Sequence, residues 1–338
     1  MAKSKPSITP LHQLQPFLPS ETFALLSEKS QGTTRDGKPY FACTFRDKVR
    51  SLAARVWQDS PCFDEAHSWH VGDFMRIRGV YTEHEKYGAQ INLQQVFAVT
   101  EADRADGFKE SDFYDLSRFD PALMFDELRK LVEAQIVEEP LRKLVLLLLD
   151  THVETLKLLP AHRDKFFPFP GGWLEHILGV TKNCIYLVDY YRAHYPELKP
   201  PLNRGLVIAG AVLHDIGRVA EFMPIVPGHK IERTIPGELF THTMLGRDMI
   251  REAAREIKDF DAELLMLLEH IVMTHLELPA WGSQRLPAIP EVLILHHADD
   301  LDAKLEMYIR CLTRDAADGP FTDRDPSLNK PLLKQRKV

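Results

Sequence analysis

The chain has 338 residues, which is long enough for two domains with hydrophobic cores of their own. Hydrophobic residues make up 44% of it and charged residues 27%, the balance of an ordinary globular protein. The formal net charge of −7 argues against a protein that coats nucleic acid through charge alone, although it leaves room for a local basic groove.

Cysteine usage indicates a reducing compartment, and hydropathy indicates a chain outside the membrane. The four cysteines, Cys43, Cys62, Cys184 and Cys311, are far apart and form no CxxC pair. The longest apolar run, residues 144–149, is far too short to cross a bilayer, and the first residues lead into no apolar signal core. We therefore expect a cytoplasmic protein with reduced thiols and no membrane partner.

The first hundred residues are predicted to form a flexible arm and a small barrel. Residues 1–17 are polar and rich in proline, which is typical of an arm. Over residues 18–104, short runs of β-type sequence alternate with turns, as at residues 40–45, 51–57, 71–79 and 90–99. Several short strands at this spacing favour an antiparallel β-barrel.

The pattern becomes helical after a polar linker. Residues 105–160 are predicted as this linker and two leading helices, at 122–136 and 141–159, because apolar residues recur there at helical spacing. Residues 161–312 are predicted as the second domain, with helices at 173–191, 205–213, 241–257, 262–274 and 291–312. Residues 313–338 are predicted as a poorly ordered polar tail.

Six histidine and aspartate side chains follow one another through the second domain, each in or beside an apolar, helix-like stretch. They are His176, the adjacent pair His214 and Asp215, His242, His275 and Asp299. Ionisable groups are costly to bury without partners, and imidazole and carboxylate groups suit first-row divalent metals. A shared metal centre would satisfy all six, with Asp215 able to bridge two ions.

The alternative is six residues that each satisfy their own hydrogen bonds, since a lone histidine in a helix is more often a core or surface residue than a ligand. That alternative explains each position singly. It does not explain why polar groups recur inside apolar segments, as His214 and Asp215 do at the end of the run 206–213. We therefore predict a metal centre.

The same residues carry a resemblance to a known family. His176, the segment 213–218, His242 and Asp299 resemble the HD-domain metal-dependent phosphohydrolases. The wider segments 171–176, 241–246 and 297–304 look like those of the YhaM-type 3′-to-5′ exoribonucleases, and the resemblance extends from about residue 20 to about residue 310. It implies a multidomain α and β protein, in which an N-terminal OB-fold barrel precedes an all-α HD domain.

Two positions depart from the family's pattern. Arg218 stands where the family usually has a lysine, which keeps the positive charge but changes its geometry. Leu276 follows His275 where the family often has a second histidine. His275 matches the first histidine of that pair and is the predicted ligand, whereas His270 is an alternative ligand or a cleft residue.

By resemblance, the reaction is the removal of nucleotides from the 3′ end of single-stranded RNA as 5′ mononucleotides, with single-stranded DNA as a further candidate. Two divalent ions are expected, with manganese favoured by the resemblance and iron, cobalt or nickel as alternatives. Asp215 is predicted to act at the reaction centre, and Arg218 is the candidate for stabilising charge as it develops. The oligomeric state is left open.

OB-fold barrels bind single strands through a basic groove and aromatic stacking. The candidates for this role are Phe41, Trp57, Arg76, Arg78 and Lys86. Arg76 and Arg78 are two residues apart, so a regular strand would point both to one face. Against this role, half of the aromatic residues in period-two strands must belong to the core, and the barrel has no net basic character.

Two other functions fit the sequence. An HD-domain phosphohydrolase of small or cyclic nucleotides would not need the barrel in its substrate path. A nucleic-acid-binding module with a weak HD site is the second, although the complete ligand set argues against it.

Overall fold

The computed structural model describes residues 8–84, 88–226, 228–315 and 317–334, and it divides the chain into two compact units. The first unit comprises residues 1–115 together with the short segment 226–230, and the second comprises residues 116–225 and 231–338. The expected fold class, a β-barrel followed by a helical region, is confirmed. No helix among the described residues is long and apolar enough to cross a membrane.

The first unit is a closed barrel of five strands, with one short helix, α1 (Phe63–Ala66), between the third and fourth. The strands are β1 (Pro19–Thr33), β2 (Pro39–Arg46), β3 (Ser51–Trp57), β4 (Phe74–His84) and β5 (Gly88–Ala98). Their order around the barrel is β1-β2-β3-β5-β4. Neighbouring strands are antiparallel except for β3 and β5, which are parallel. This order is that of a five-stranded OB fold.

One long strand closes the barrel. β1 pairs with β4 over residues 19–25 and with β2 over residues 25–33, with a shift of register between Leu26 and Glu28. Such a bulge bends a strand and increases its twist, which lets β1 contribute to both sides. Alternate residues of the strands, among them Phe45 of β2 and Leu52 of β3, fill the interior.

The described part of the predicted arm is packed on the barrel, which corrects the prediction for residues 8–17. Leu11 and Leu14 are buried in the barrel core, and residues 11–13 form a 3₁₀ turn. The Nδ1 atom of His12 lies 2.7 Å from Oδ2 of Asp47. Two buried leucines in a proline-rich segment form no periodic pattern in the sequence. The prediction of a flexible arm therefore rested on composition alone.

The second unit is mainly helical. Its helices are α2 (Pro121–Gln135), α3 (Glu139–Thr151), α4 (Val153–Leu158), α5 (Gly172–His194), α6 (Arg204–Leu213), α7 (Arg218–Glu221), α8 (Ile235–Leu239), α9 (His242–Arg255), α10 (Ala262–Thr274) and α11 (Pro290–Arg314). Every residue of α6 from Gly205 to Leu213 is buried. This helix therefore lies in the middle of the core, which explains why its sequence is apolar on all sides.

Two sequence predictions for this unit are corrected. The helix predicted over residues 141–159 is interrupted at His152, whose φ of −113° and ψ of 15° separate α3 from α4. The described residues of the predicted tail fold back in a small hairpin, in which Phe321 pairs with Leu333. Leu332 is buried within it, so a polar composition does not make this segment free of tertiary contacts.

Candidate metal centre

Five helices bring the six predicted ligands to one buried place. His176 lies on α5, His214 and Asp215 directly follow α6, His242 begins α9, His275 directly follows α10, and Asp299 lies on α11. Each of the six is at most 9% exposed. Polar side chains that are far apart in the sequence therefore lie together in the helical core.

The ligand atoms form two overlapping groups. One potential ligand atom from each of His176, His214 and Asp299 lies within 4.8 Å of the others, and the same holds for His214, Asp215 and His275. The Nε2 atom of His242 is 3.1 Å from Oδ1 of Asp215, which joins the sixth residue to the second group. His214 belongs to both groups.

Four of these atoms are buried without a hydrogen-bond partner. They are Nε2 of His176, Nε2 of His214, Oδ1 of Asp215 and Nε2 of His242. Buried polar atoms in proteins nearly always have a partner. Unpartnered atoms that belong to one cluster and are all good metal donors are what a metal site requires, so these residues fit a divalent ion.

Three of the histidines are oriented through the other ring nitrogen. The Nδ1 atom lies 2.8 Å from Asp302 Oδ2 in His176, 2.9 Å from the Ala211 carbonyl oxygen in His214, and 2.8 Å from the Val272 carbonyl oxygen in His275. A proton on Nδ1 leaves the lone pair on Nε2. Such outer contacts fix both the tautomer and the direction of a metal-binding imidazole.

The electrostatics of the second group favour the metal-binding protonation states. Burial lowers the pKa of His275 to about 4, and burial together with the charge of Arg218 lowers the pKa of His242 well below its usual value. Burial opposes ionisation of Asp215, but the charge of Arg218 lowers its pKa well below the usual range. At neutral pH these imidazoles are neutral and the carboxylate is ionised, the forms that bind metal.

The carboxylates of the first group, around His176, favour a positive charge at this place. Burial lowers the pKa of His176, but its contacts with Asp299 and Asp302 raise it to about 10. Its Nε2 atom is 3.1 Å from Oδ1 of Asp299, without the direction of a hydrogen bond. Two carboxylates around one buried imidazole would be better compensated by a divalent ion than by a single proton.

Arg218 is held inside the site by carboxylates. It begins α7 and is 6% exposed. Its Nη1 donates to Oε2 of Glu221 at 2.7 Å, and its Nε lies 3.4 Å from Oδ2 of Asp215. Glu221 also accepts from Nε of Arg233 and lies 3.8 Å from Nδ1 of His242. The guanidinium is thus fixed beside the ligands.

Sequence reasoning missed three residues around the cluster. Asp302 and Glu221 each lie three residues after a predicted site residue, Asp299 and Arg218, and helical spacing of i and i+3 could have found them. His162 lies near enough to the cluster to feel its charges: burial and then the charge of Arg218 lower its pKa to about 4, while the charge of Asp215 acts in the opposite direction. No sequence signal pointed to His162.

The alternative ligand, His270, lies outside both groups of ligand atoms. Its Nε2 accepts a hydrogen bond from the backbone N–H of Ala288 at 3.0 Å, so that nitrogen holds the loop between α10 and α11. Burial lowers the pKa of His270, which keeps the ring in the neutral form that can accept this bond. The structure thus places His275, and not His270, beside the other ligands.

Two of the predicted nucleic-acid contacts in the barrel are corrected. Phe41 is 5% exposed and belongs to the barrel core, so it has no free ring face for a base. The side chain of Arg76 is 15% exposed and forms ion pairs with Glu21, Asp103 and Asp106. Three carboxylates neutralise this guanidinium, which therefore stabilises the barrel instead of offering a free charge.

The remaining candidates differ in accessibility. Trp57 is 44% exposed at the end of β3. The side chain of Arg78 is 42% exposed, although its Nε donates to Glu21 at 3.0 Å. Lys86 lies outside the described residues. Trp57 is therefore the candidate whose ring is most open to a base.

A close approach between α7 and α9 supports the position of His242. A Cβ atom added at Gly217 would overlap the carbonyl oxygen of His242 and the backbone nitrogen of Gly246. We expect Gly217→Ala to lower the free energy of unfolding by about 2 kcal/mol, because backbone atoms cannot move aside as a side chain can. Thermal unfolding and metal content measure the effect, and both should fall.

Gly246→Ala is the matched control at the same contact. A Cβ there would lie 3.1 Å from the Gly217 nitrogen, a tight but smaller intrusion. Gly246→Ala should lower the free energy of unfolding clearly less than Gly217→Ala does. Equal stability of Gly217→Ala and the unaltered protein would contradict the close approach.

A five-stranded OB-fold barrel and a helical unit with a buried cluster of histidines and aspartates define the class as an OB-fold and HD-domain protein. Residues 173–304 match the family model described as HD domain. The chain is 27% identical over 308 residues to the 3′-5′ exoribonuclease YhaM of Geobacillus sp. (strain WCH70), covering 90% of this chain and 88% of that protein. The predicted resemblance to YhaM-type proteins is confirmed.

Two solved structures match about a quarter of the chain at low identity. The second OB-fold domain of replication protein A from Methanococcus maripaludis, solved by NMR, is 16% identical and covers 28% of this chain and 96% of that one, with a TM-score of 0.22. A crystal structure of a replication protein A domain from the same organism is 15% identical, covers 27% and 94%, and has the same TM-score. At these scores they add nothing to the OB assignment, which rests on strand order.

Proposed function

We propose that this protein is a metal-dependent 3′-to-5′ exonuclease that hydrolyses single-stranded RNA to 5′ mononucleotides, with single-stranded DNA as a second substrate. The observation that carries the proposal is the set of buried, unpartnered donor atoms on His176, His214, Asp215 and His242. The similarity to the YhaM exoribonuclease, along nine-tenths of the chain, supports the substrate class. The four free cysteines support a cytoplasmic setting.

The ligand groups suit two divalent ions, with manganese favoured and iron, cobalt or nickel as alternatives. His176, His214 and Asp299 would hold one ion, and Asp215, His242 and His275 the other, with His214 within reach of both groups. Ions in such a pair activate water and stabilise the charge of a phosphodiester under attack. The six residues are at most 9% exposed, and burial strengthens the electrostatic contacts among them.

The chain's own residues would set the geometry of the reaction. Asp302 and the carbonyl oxygens of Ala211 and Val272 hold three imidazoles in the ligating orientation. Arg218, fixed between Asp215 and Glu221, places a positive charge beside the ligands and would stabilise charge that develops on the phosphate.

A direct test follows a single-stranded RNA labelled at its 5′ end, incubated with the protein and manganese. The expected result is a ladder of products that shortens from the 3′ end, with mononucleotides carrying a 5′ phosphate as the released species. The same oligomer as DNA measures sugar preference. Turnover of small or cyclic nucleotides without any shortening of RNA would support the phosphohydrolase alternative instead.

A pair of aromatic residues on the barrel, the exposed Trp57 and the half-buried Tyr40, is the proposed contact for the single strand. Tyr40 of β2 and Trp57 of β3 are register partners, with ring centroids 5.1 Å apart, and the guanidinium of Arg55 is 5.7 Å from the Tyr40 ring. Gly32 is opposite Tyr40 on β1, where any Cβ would overlap the tyrosine ring. The exposed Trp57 ring, with the cation of Arg55 on the neighbouring Tyr40 ring, suits base stacking and a nearby phosphate.

Trp57→Ala is expected to weaken the binding of single-stranded RNA by about tenfold, since stacking of one base contributes about 1–3 kcal/mol. Turnover of a small chromogenic phosphodiester should not change, because the metal ligands are in the other unit. Fluorescence anisotropy of labelled RNA measures the affinity. Phe97→Ala, which removes a 53% exposed ring from β5, is the control. Equal loss in both variants would argue against a specific face.

A further inference from the structure

Trp281 presents one open face in the loop that follows the metal ligand His275. Its indole is 54% exposed, although tryptophan is among the costliest side chains to leave in water. The other face of the ring stacks on the imidazole of His296, with centroids 6.0 Å apart and planes inclined by 13°. A near-parallel stack on one side leaves the opposite side for a second flat ring.

His296 connects this indole to the metal centre. It is 6% exposed, and its Nδ1 is 2.8 Å from the carbonyl oxygen of His275. Its Nε2 is 3.0 Å from Oε2 of Glu277. Both ring nitrogens are therefore engaged, which holds the imidazole, and with it the indole, in one orientation beside a proposed ligand.

The loop that carries Trp281 is tied to α10. The backbone N–H of Gln284 donates to the carbonyl oxygen of Met273 at 3.2 Å, and that of Ala288 donates to Nε2 of His270 at 3.0 Å. Gly282 has a φ of +109°, a conformation that favours glycine, directly after the turn that contains Trp281. A platform held in place before binding loses little freedom when a ligand stacks on it.

We propose that Trp281 stacks on the nucleobase of one of the two nucleotides that flank the scissile phosphate. This inference rests on the proposed nuclease function and adds a base-binding subsite in the HD unit. Every base has a π-face, so a stacking subsite accepts all sequences. Such a subsite would position the end of a strand for stepwise removal without reading its sequence.

The test compares Trp281→Ala and Trp281→Phe with the unaltered protein on short single-stranded RNA. We expect Trp281→Ala to lower kcat/KM about tenfold, mainly through KM, and Trp281→Phe to retain most activity because a ring is restored. Leu286→Ala, which removes a 62% exposed side chain from the same loop, should change neither value. Thermal unfolding checks that all variants are folded.

Abasic substrates locate the base. Two RNAs are compared, one that lacks the terminal base and one that lacks the penultimate base. At one of these two positions, removal of the base should lower kcat/KM of the unaltered protein about tenfold and should not lower kcat/KM of Trp281→Ala any further. Binding of the same RNAs by anisotropy, in an Asp215→Asn background that cannot turn over, gives a readout independent of activity. Affinity should fall in the same pattern.

The outcomes separate the two proposals. RNA shortened at equal kcat/KM by Trp281→Ala and the unaltered protein would overturn the stacking subsite and leave the nuclease function standing. Additive losses from Trp281→Ala and from both abasic positions would also overturn it. If the unaltered protein shortens no RNA, the nuclease function fails and the subsite fails with it.

Discussion

Asp215→Ala is expected to abolish hydrolysis and to release metal while the helical unit stays folded, and His214→Ala should do the same. His214 belongs to both ligand groups, and Asp215 belongs to the second group, where its Oδ1 is 3.1 Å from Nε2 of His242, so either change removes a donor from the cluster. We expect a loss in kcat of about 1,000-fold or more, because charge stabilisation at the phosphate is lost with the ions. Elemental analysis and a phosphodiesterase assay measure the two effects.

The fold should survive for a specific reason. Without Asp215, the buried guanidinium of Arg218 still donates to Glu221, so its charge keeps a partner. Asp215→Asn, of nearly the same shape, tests charge alone, and Asp248→Asn on the exposed side of α9 is the matched control. Full metal occupancy in Asp215→Ala would show that this carboxylate is not a ligand.

His275→Ala should lose metal and activity together, whereas His270→Ala should retain metal. His275 places an imidazole among the other ligands, with Nδ1 bound to the Val272 carbonyl, and its removal leaves the second group incomplete. His270 instead holds Ala288, so its loss loosens the loop that carries Trp281. Metal content of the two variants, measured after dialysis against the same manganese buffer, makes the comparison direct.

The kinetics of His270→Ala carry a second expectation. A loosened loop should raise KM for RNA several-fold and leave turnover of a small phosphodiester nearly unchanged. Metal lost in His270→Ala and kept in His275→Ala would show that the wrong histidine was assigned. The metal-dependent hydrolase would survive that result, since either residue would complete a set with the other five.

Secondary structure in the helical unit followed closely from the sequence. The predicted helix at residues 262–274 has the bounds of α10 (Ala262–Thr274), and the prediction at 205–213 differs from α6 (Arg204–Leu213) by one residue. Apolar periodicity determines which residues enter a helix core, so it is a local signal. The break at His152 was missed because both halves of the segment are equally apolar.

Availability for binding did not follow from the sequence. Phe41 and Trp57 are both aromatic residues on adjacent strands, yet one is in the core and the other on the surface. Arg76 and Arg78 lie on one strand face, but Arg76 is neutralised by Asp103 and Asp106, which follow β5. Whether a charged or aromatic side chain is free to bind depends on the neighbours that the barrel brings to it. Those neighbours are far away in the sequence and could not be identified from it.

The sequence by itself predicted the proposed metal centre, because a shared partner accounts for polar residues that recur inside apolar helices. His176, His214, Asp215, His242, His275 and Asp299 could all be named in advance. Only the tertiary structure decided how they are held and what surrounds them. Packing between helices places four further residues beside these ligands: Asp302, Glu221, His296 and Trp281. Most of these contacts join residues that are far apart in the sequence, so no local pattern predicts them.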